Sequence, residues 1–315
     1  MTEPLKVVFM GTPDFAVPTL LALAQDPRFA VTLVVSQPDK PKGRGRKMAP
    51  TPVKAAAMEH EIPVIQPGKA RAPEPVERIA SENPDYIVVV AYGQILPLSI
   101  LQIPVLIPVN LHASLLPRWR GAAPIHRALL AGDQVTGVCS MLMEEGLDTG
   151  DTLLCQQTEI ADADTTGALH DRLAQLGAAL MTRTLTEYAE GKITPQKQDS
   201  TLATYAPKLT KDEFVIDWAT SAEEVSRKIR GLAPFPGAVT FHRGRSIKPL
   251  FCHLSSSAPG GRPGEILGVS GEGITVACGA GAVVITHLKP EGKGAMAAHA
   301  YTLGHGIKAG EVLGK

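Results

Sequence analysis

The sequence predicts an open, mainly parallel α/β sheet followed by a smaller all-β unit. Three observations carry that prediction. Apolar, β-branched runs alternate with helix-like segments from residue 5 to about residue 190. The alternation then gives way to a polar stretch without periodicity, over 191–208. Beyond it, short β-type runs follow one another, separated by Gly-, Pro- and Ser-rich turns. Continuous apolar strands between helices mark a parallel sheet covered on both faces. Closely spaced short strands with such turns mark a small β-barrel. The expected division is residues 1–190, a linker over 191–208, and residues 209–315.

Each element has its own signature. The run over 5–10 ends at Gly11, and an apolar helical pattern follows over 15–24. Residues 31–35 read as a second buried strand. Thr51-Pro52 opens a helix, with threonine as N-cap and proline at the first helical position. The clearest strand is 86–91, in DYIVVVAYG. A shorter strand covers 109–112, and residues 122–131 are helical. Residues 135–141 and 152–156 are strand-like, and a long helix runs over 165–190 from a Thr/Asp-rich cap. In the last third, Ser221-Ala-Glu-Glu224 is a capping box. Strands are expected at 238–242, 247–254, 264–269, 273–278 and 283–288.

Composition narrows the class. The chain has 315 residues, 44% hydrophobic and 20% charged, as in ordinary globular proteins. No apolar run approaches the roughly 20 residues needed to span a bilayer. The N-terminus MTEPLKVVFMG lacks the features of a signal peptide, so a cytoplasmic chain with no membrane association is expected. The cysteines Cys139, Cys155, Cys252 and Cys278 form no C-x-x-C pair and have no zinc-ligand spacing. Free buried thiols, no disulfide and no metal are the expectation. Net charge is zero but unevenly spread. Residues 1–206 carry 18 basic and 22 acidic side chains, a net of −4. Residues 207–315 carry 13 and 9, a net of +4. Such asymmetry points to a polyanionic partner touching selected surfaces.

Four segments bear chemistry. In the strand Val109-Asn-Leu-His112, Asn110 and His112 point to one face. In an open α/β sheet the carboxyl end of a strand is where ligands bind. Histidine moves protons near neutral pH, and an asparagine amide donates to a developing oxyanion. A histidine at a strand end can equally be structural. The following run, ASLLPRWRGAAP (113–124), is either a rigid crossover or a pocket wall, with Arg118 and Arg120 adding charge. In Gly146-Leu-Asp-Thr-Gly-Asp151, two glycines bracket Asp148 and let the backbone turn sharply. Asp148 is thus either a turn residue or the carboxylate that orients the imidazole. The fourth is the loop QPDKPKGRGRK (37–47), with Lys40, Lys42, Arg44, Arg46 and Lys47 in eight positions. It follows a strand, so it is either solvated charge or a mobile grip on phosphates. Gly11-Thr-Pro-Asp14 fits neither the dinucleotide nor the P-loop pattern, and no G-x-S-x-G is present.

Together, Asn110-x-His112, SLLPRWRGAAP and LDTGD resemble the formyltetrahydrofolate-dependent transferases and hydrolases. GTPDFA (11–16), QPDKPKGRGRK, VVVAYGQILP (88–97), IDW (216–218), IRGLAPFPGA (229–238) and LKPEGKGAM (288–296) narrow the resemblance to the methionyl-tRNA formyltransferase family. It spans nearly the whole chain, less clearly after Ala297. The resemblance implies a Rossmann-like N-terminal domain and an oligonucleotide-binding-like C-terminal barrel. It implies 10-formyltetrahydrofolate as co-substrate, methionyl initiator tRNA as partner, and a monomer. Asn110, His112 and Asp148 match the family's catalytic positions. Ser114, Leu115, Leu116 and Pro117 match its folate-binding stretch. Arg44 falls in the loop expected at the tRNA acceptor stem, with Lys40, Lys42, Arg46 and Lys47 beside it. Two other readings stand against this one. One is a relative acting on glycinamide ribonucleotide, on a sugar nucleotide or as a formylfolate hydrolase. The other is an RNA-binding protein without catalysis. The basic loop and cationic barrel weigh against the first, and the intact Asn/His/Asp set against the second.

Overall fold

The structure, a computed structural model, describes residues 3–42, 45, 47–256 and 260–314. The side chain of Lys42 also lies outside the described set. The chain divides into two compact units. The first comprises Met1–Gly121, Thr136–Thr158 and His170–Tyr205. The second comprises Ala122–Val135, Glu159–Leu169 and Ala206–Lys315. Most of the stretch expected as a linker is therefore grouped with the first unit.

In chain order the first strands and helices are β1 (Leu5–Gly11), α1 (Val17–Gln25), β2 (Phe29–Val35), β3 (Lys40–Lys42), β4 (Lys47–Ala49), α2 (Pro52–Glu59) and β5 (Val64–Ile65). Then come α3 (Pro73–Ala80), β6 (Tyr86–Val90), α4 (Leu98–Leu101), β7 (Ile107–His112), β8 (Arg120–Gly121) and α5 (Pro124–Ala131). The hairpin strands β9 (Val135–Leu142) and β10 (Thr152–Glu159) precede α6 (Thr166–Ala189). Seven strands form one sheet in the order β10-β9-β7-β6-β1-β2-β5. Pairing is parallel from β7 through β5 and antiparallel between β7 and β9.

The sheet is parallel because its central strands have no polar face. All five residues of β6 and Val7–Met10 of β1 are buried. Alternate side chains Val8 and Met10, Leu33 and Val35, and Ile87 and Val89 enter one apolar cluster with Ile79, Leu96 and Ile100. On β6, Tyr86 is fully buried, and its hydroxyl donates to the Leu185 carbonyl at 2.8 Å. The helix starts follow the sequence signals. Thr51 caps α2 by accepting from the Lys54 N–H at 3.1 Å, with Pro52 next. Thr165 accepts from the Ala168 N–H at the start of α6.

Among the described residues of the basic segment, β3 and β4 pair antiparallel, with Lys40 opposite Ala49. Its base is anchored where Lys54 bonds Asp39 and Gln66, each at 2.7 Å. Arg44 and Arg46, two of the residues expected to meet tRNA, lie outside the described residues. The cysteines were expected to be unpaired, yet Cys139 and Cys155 form a disulfide across neighbouring strands β9 and β10. Hairpin register brings their Cα atoms within 4.1 Å, which a sequence separation of 16 conceals. Cys252 and Cys278 are free, and burial pushes both thiols up to about 11.

After β11 (Tyr205–Ala206), where the first unit gives way to the second, the remaining elements are α7 (Ala222–Leu232), β12 (Thr240–His242), β13 (Arg245–Leu254), β14 (Ile266–Val269), β15 (Ile274–Ala277), β16 (Ala282–Pro290), β17 (Met296–Ala297) and α8 (Ala298–His305). An antiparallel half-barrel sheet runs β12-β13-β16-β15-β14, with β17 added to β16. Helix α7 begins at the expected capping box, where Ser221 accepts from the Glu224 N–H and Glu224 from the Ser221 N–H. Its face of Ala222, Val225, Ile229 and Leu232 joins Trp218, Ile247, Val283, Ile285 and Tyr301 in the core. The Trp218 indole N–H donates to Thr240 at 3.0 Å, so the buried polar tip is satisfied. Arg127 on α5 clasps Glu213, which also accepts from the Thr210 N–H.

The hydrogen bond from Arg127, reinforced by the Thr210 N–H, holds the Glu213 carboxyl down to about 2. A carboxyl depressed in the folded state adds stability above its unfolded value, near 4.5. That stability is lost as pH falls toward 2. Urea melts should therefore show Glu213→Gln less stable than the parent at pH 6, with the gap narrowing by pH 3. An equal gap at both pH values would contradict this electrostatic account.

Candidate functional site

Strand β7 carries two of the expected groups at its carboxyl end. Asn110 pairs with Val89 of β6 on one side and Met141 of β9 on the other. His112 lies opposite Cys139 and is 6% exposed. Two positions apart, the two side chains share a face, and Asn110 remains partly accessible.

The chain then folds back on the histidine. Ser114 is buried and its hydroxyl donates to the Arg118 carbonyl at 2.6 Å, closing a tight turn. Leu115, Leu116 and Pro117 remain partly accessible. Trp119 adopts a left-handed backbone with φ 63°. Its N–H donates to Thr204 Oγ1 at 2.9 Å. That conformation aims its carbonyl at the imidazole, 2.8 Å from Nε2. A carbonyl only accepts, so Nε2 carries a proton and Nδ1 is the nitrogen left to gain or lose one. Nδ1 faces Asp148 Oδ2 at 3.6 Å, beyond hydrogen-bond range.

Asp148 Oδ2 accepts instead from the Gly121 N–H at 2.7 Å. Its own backbone is left-handed, with φ 52°. This departs from the simplest reading of the bracketing glycines. Neither adopts a positive φ; each is needed for close approach. A Cβ on Gly150 would lie 1.9 Å from the Leu142 carbonyl oxygen, and one on Gly146 would lie 2.1 Å from Thr149 Oγ1. The sharp turn falls on the aspartate itself, a residue type that tolerates this conformation better than most.

The structure thus brings together His112 and Asp148, with Asn110 on the same strand end. The arrangement offers an amide donor, an imidazole nitrogen free to exchange a proton, and a carboxylate that can stabilise positive charge on the ring. The two arginines of the loop part company. Arg118 is exposed, its guanidinium 4.5 Å over the Trp119 ring. Arg120 is 3% exposed and donates through Nε and Nη2 to Gln198 Oε1, at 3.0 and 2.8 Å. Lys40 and Lys47 sit on the β3–β4 hairpin, with Lys47 exposed. Sequence reasoning missed the Trp119 carbonyl, the Gly121 N–H and Thr204. Two are backbone groups, which no residue type announces. Among the described residues, no group of three or more His, Cys, Asp or Glu side chains could hold a metal ion, and no helix is long and apolar enough to cross a membrane.

This arrangement sits in a chain whose relatives are well marked. The Formyl transferase family model matches residues 5–185, and the model of the formyl transferase C-terminal domain matches 208–306. The chain belongs to the formyl transferase family. It is 47% identical over 311 residues to the methionyl-tRNA formyltransferase of Citrifermentans bemidjiense, covering 99% of this chain and 97% of that one. To the methionyl-tRNA formyltransferase of Pseudomonas fluorescens SBW25 it is 51% identical over 294 residues, covering 93% and 92%. Among solved structures, an N-formyltransferase from Helicobacter canadensis, in complex with folinic acid and dTDP-3-aminofucose, superposes with TM-score 0.67. Identity there is 15%, over 89% of this chain and 98% of that one, so the likeness is one of fold. HypX from Aquifex aeolicus, in complex with tetrahydrofolic acid, gives 0.64 at 16% identity, over 96% of this chain and 47% of that one. The Rossmann-like sheet and half-barrel are therefore the architecture of this formyl transferase.

The Trp119 contact fixes a tautomer, and NMR can read it. Nitrogen-15 correlation spectra of the neutral His112 ring should show Nε2 protonated and Nδ1 bare. The opposite tautomer would mean that the Trp119 carbonyl does not hold the ring.

Proposed function

We propose that this formyl transferase moves the formyl group of 10-formyltetrahydrofolate to the α-amine of methionyl initiator tRNA. The observation that carries this reading is identity of 45–51% to methionyl-tRNA formyltransferases across both units. The solved formyl transferases that act on other acceptors share only 14–18%. Residues 1–190 supply the catalytic domain and 209–315 the tRNA-binding domain of a monomeric, cytoplasmic enzyme.

The chemistry follows from the geometry. The amine attacks the formyl carbon as a neutral nucleophile, forming a tetrahedral intermediate whose oxygen bears negative charge. The Asn110 amide and the proton on His112 Nδ1 stabilise that oxyanion. One such donor is worth about 3–4 kcal/mol, a hundred- to thousandfold in rate. The ring cannot offer Nε2–H, because the Trp119 carbonyl already accepts it. Asp148 faces Nδ1 across 3.6 Å and orients the ring. As the nitrogen of tetrahydrofolate leaves, it takes up a proton and the attacking amine loses one, so the exchange balances. Ser114-Leu-Leu-Pro117 forms a folate-contacting wall through Leu115, Leu116 and Pro117, since the Ser114 hydroxyl is already committed.

Lys40, Lys42, Arg44, Arg46 and Lys47 grip the tRNA backbone. Cations of the half-barrel add to this: Arg245, Lys289 and Lys293 are exposed. Arg243 is ion-paired with Glu311, and Lys248 donates to the Pro236 carbonyl at 2.7 Å, so these two contribute less.

The direct test supplies the full chain with charged initiator tRNA and 10-formyltetrahydrofolate, and follows formyl-methionyl-tRNA. Asp148→Asn keeps shape and tolerance of the left-handed backbone but removes the charge. Its turnover should fall about a hundredfold, and near-parental turnover would remove Asp148 from the reaction. Formate release without tRNA would favour a hydrolase instead. Affinity for tRNA should fall steeply with salt. Lys40→Ala with Lys47→Ala should flatten the log–log slope by about 0.7–0.9 per lost phosphate contact. An unchanged slope would take the hairpin out of the tRNA interface.

A further inference from the structure

Gln198 lies in the segment that the sequence marks as a linker, yet its amide is fully committed. Nε2 donates to the Asp148 carbonyl at 2.9 Å and to the Gly150 carbonyl at 2.7 Å. Oε1 accepts from Arg120 Nε at 3.0 Å and Nη2 at 2.8 Å. An amide has two N–H donors and two acceptor lone pairs, and all four are used. The orientation is fixed as well. Carbonyls cannot donate and a guanidinium cannot accept, so rotating the amide by 180° would break all four bonds.

These bonds close a ring around one carboxylate. The Asp148 side chain accepts from the Gly121 N–H. Gly121 is joined covalently to Arg120, whose guanidinium holds Gln198, and Gln198 returns to the Asp148 main chain. Arg120 is itself pinned, its N–H donating to the Thr204 carbonyl at 2.9 Å. Asp148 is thereby gripped from both ends, by side chain and by backbone. The grip answers a need. A left-handed backbone costs an L-residue roughly 1–2 kcal/mol, and such a conformation persists only where its surroundings over-determine it. Gln198 bonds the carbonyl of the left-handed residue itself and the carbonyl two positions on, spanning the turn.

We propose that Gln198 is a positioning residue for formyl transfer, holding the Asp148 carboxylate opposite His112 Nδ1, with Arg120 fixing the orientation of its amide. The proposal rests on the role given to Asp148 above. Without the amide, two carbonyls lose their donor, the turn is released, and the carboxylate drifts from the imidazole. A displacement on the order of 1 Å in a reacting constellation costs as much as a hundredfold in rate.

A double-mutant cycle on the full-length enzyme, with charged initiator tRNA and 10-formyltetrahydrofolate, tests it. Gln198→Leu is close in shape and has no polar group. It should lower kcat by about ten- to a hundredfold while leaving KM for both substrates within about threefold. Placed on Asp148→Asn, the same change should cost less than about threefold, because its target is already disabled. Gln198→Glu retains an acceptor for Arg120 but loses both donors. It serves as the second variant if Gln198→Leu folds poorly, and should show the same loss of kcat. Equal losses in both backgrounds, unchanged kcat, or a loss confined to KM would each overturn the proposal. If Asp148→Asn alone is harmless, the reading of Asp148 fails first, which separates that failure from this one.

Discussion

The hydrogen bond between His112 Nε2 and the Trp119 carbonyl is the constraint on which the site depends. It settles which imidazole nitrogen is left to exchange a proton, and so which side of the ring the proposed reaction would use. Everything around it serves that contact. Strand β7, paired on both sides, holds the histidine backbone still. The turn closed by Ser114 returns the chain within seven residues, and the left-handed Trp119 rotates its carbonyl onto the ring. With Nε2 occupied, Asp148 can influence the imidazole only through Nδ1, which it faces across 3.6 Å.

Much of the fold was legible because it is written in burial and in local stereochemistry. The five buried residues of β6 allow no exposed face, and Thr51-Pro52 and Ser221–Glu224 cap helices through contacts three residues apart. Such signals need no knowledge of distant chain. The shared face of Asn110 and His112 was legible for a related reason, since it needs only strand alternation. What stayed hidden depends on tertiary register. Cys139 and Cys155 meet because β9 and β10 lie side by side. Gln198 is 50 residues from Asp148, in a stretch whose polarity reads as solvated chain. The glycines around Asp148 were visible, but not that the unusual φ belongs to the aspartate between them.

Charge counting was informative in aggregate and misleading in detail. The excess of basic residues in the last third is real, yet Arg243 is neutralised by Glu311 and Lys248 is turned to a carbonyl. In the same way Arg120 looks like surface charge in the run PRWRG, but is buried against an amide. A cation held in this way orients its neighbours by directed hydrogen bonds. Its bidentate fork suits that task as a lysine ammonium does not.

The left-handed backbone at position 148 bears on how this enzyme could have evolved. Stereochemistry admits glycine there freely, asparagine and aspartate at a lower cost than other residues, and most others only with greater strain. Of those three, only aspartate brings a charge to the imidazole. Two independent filters, one conformational and one electrostatic, overlap on a single residue type. A random walk through sequence space that leaves aspartate can keep the fold through asparagine or glycine. The charge beside the imidazole can thus be lost while the scaffold survives.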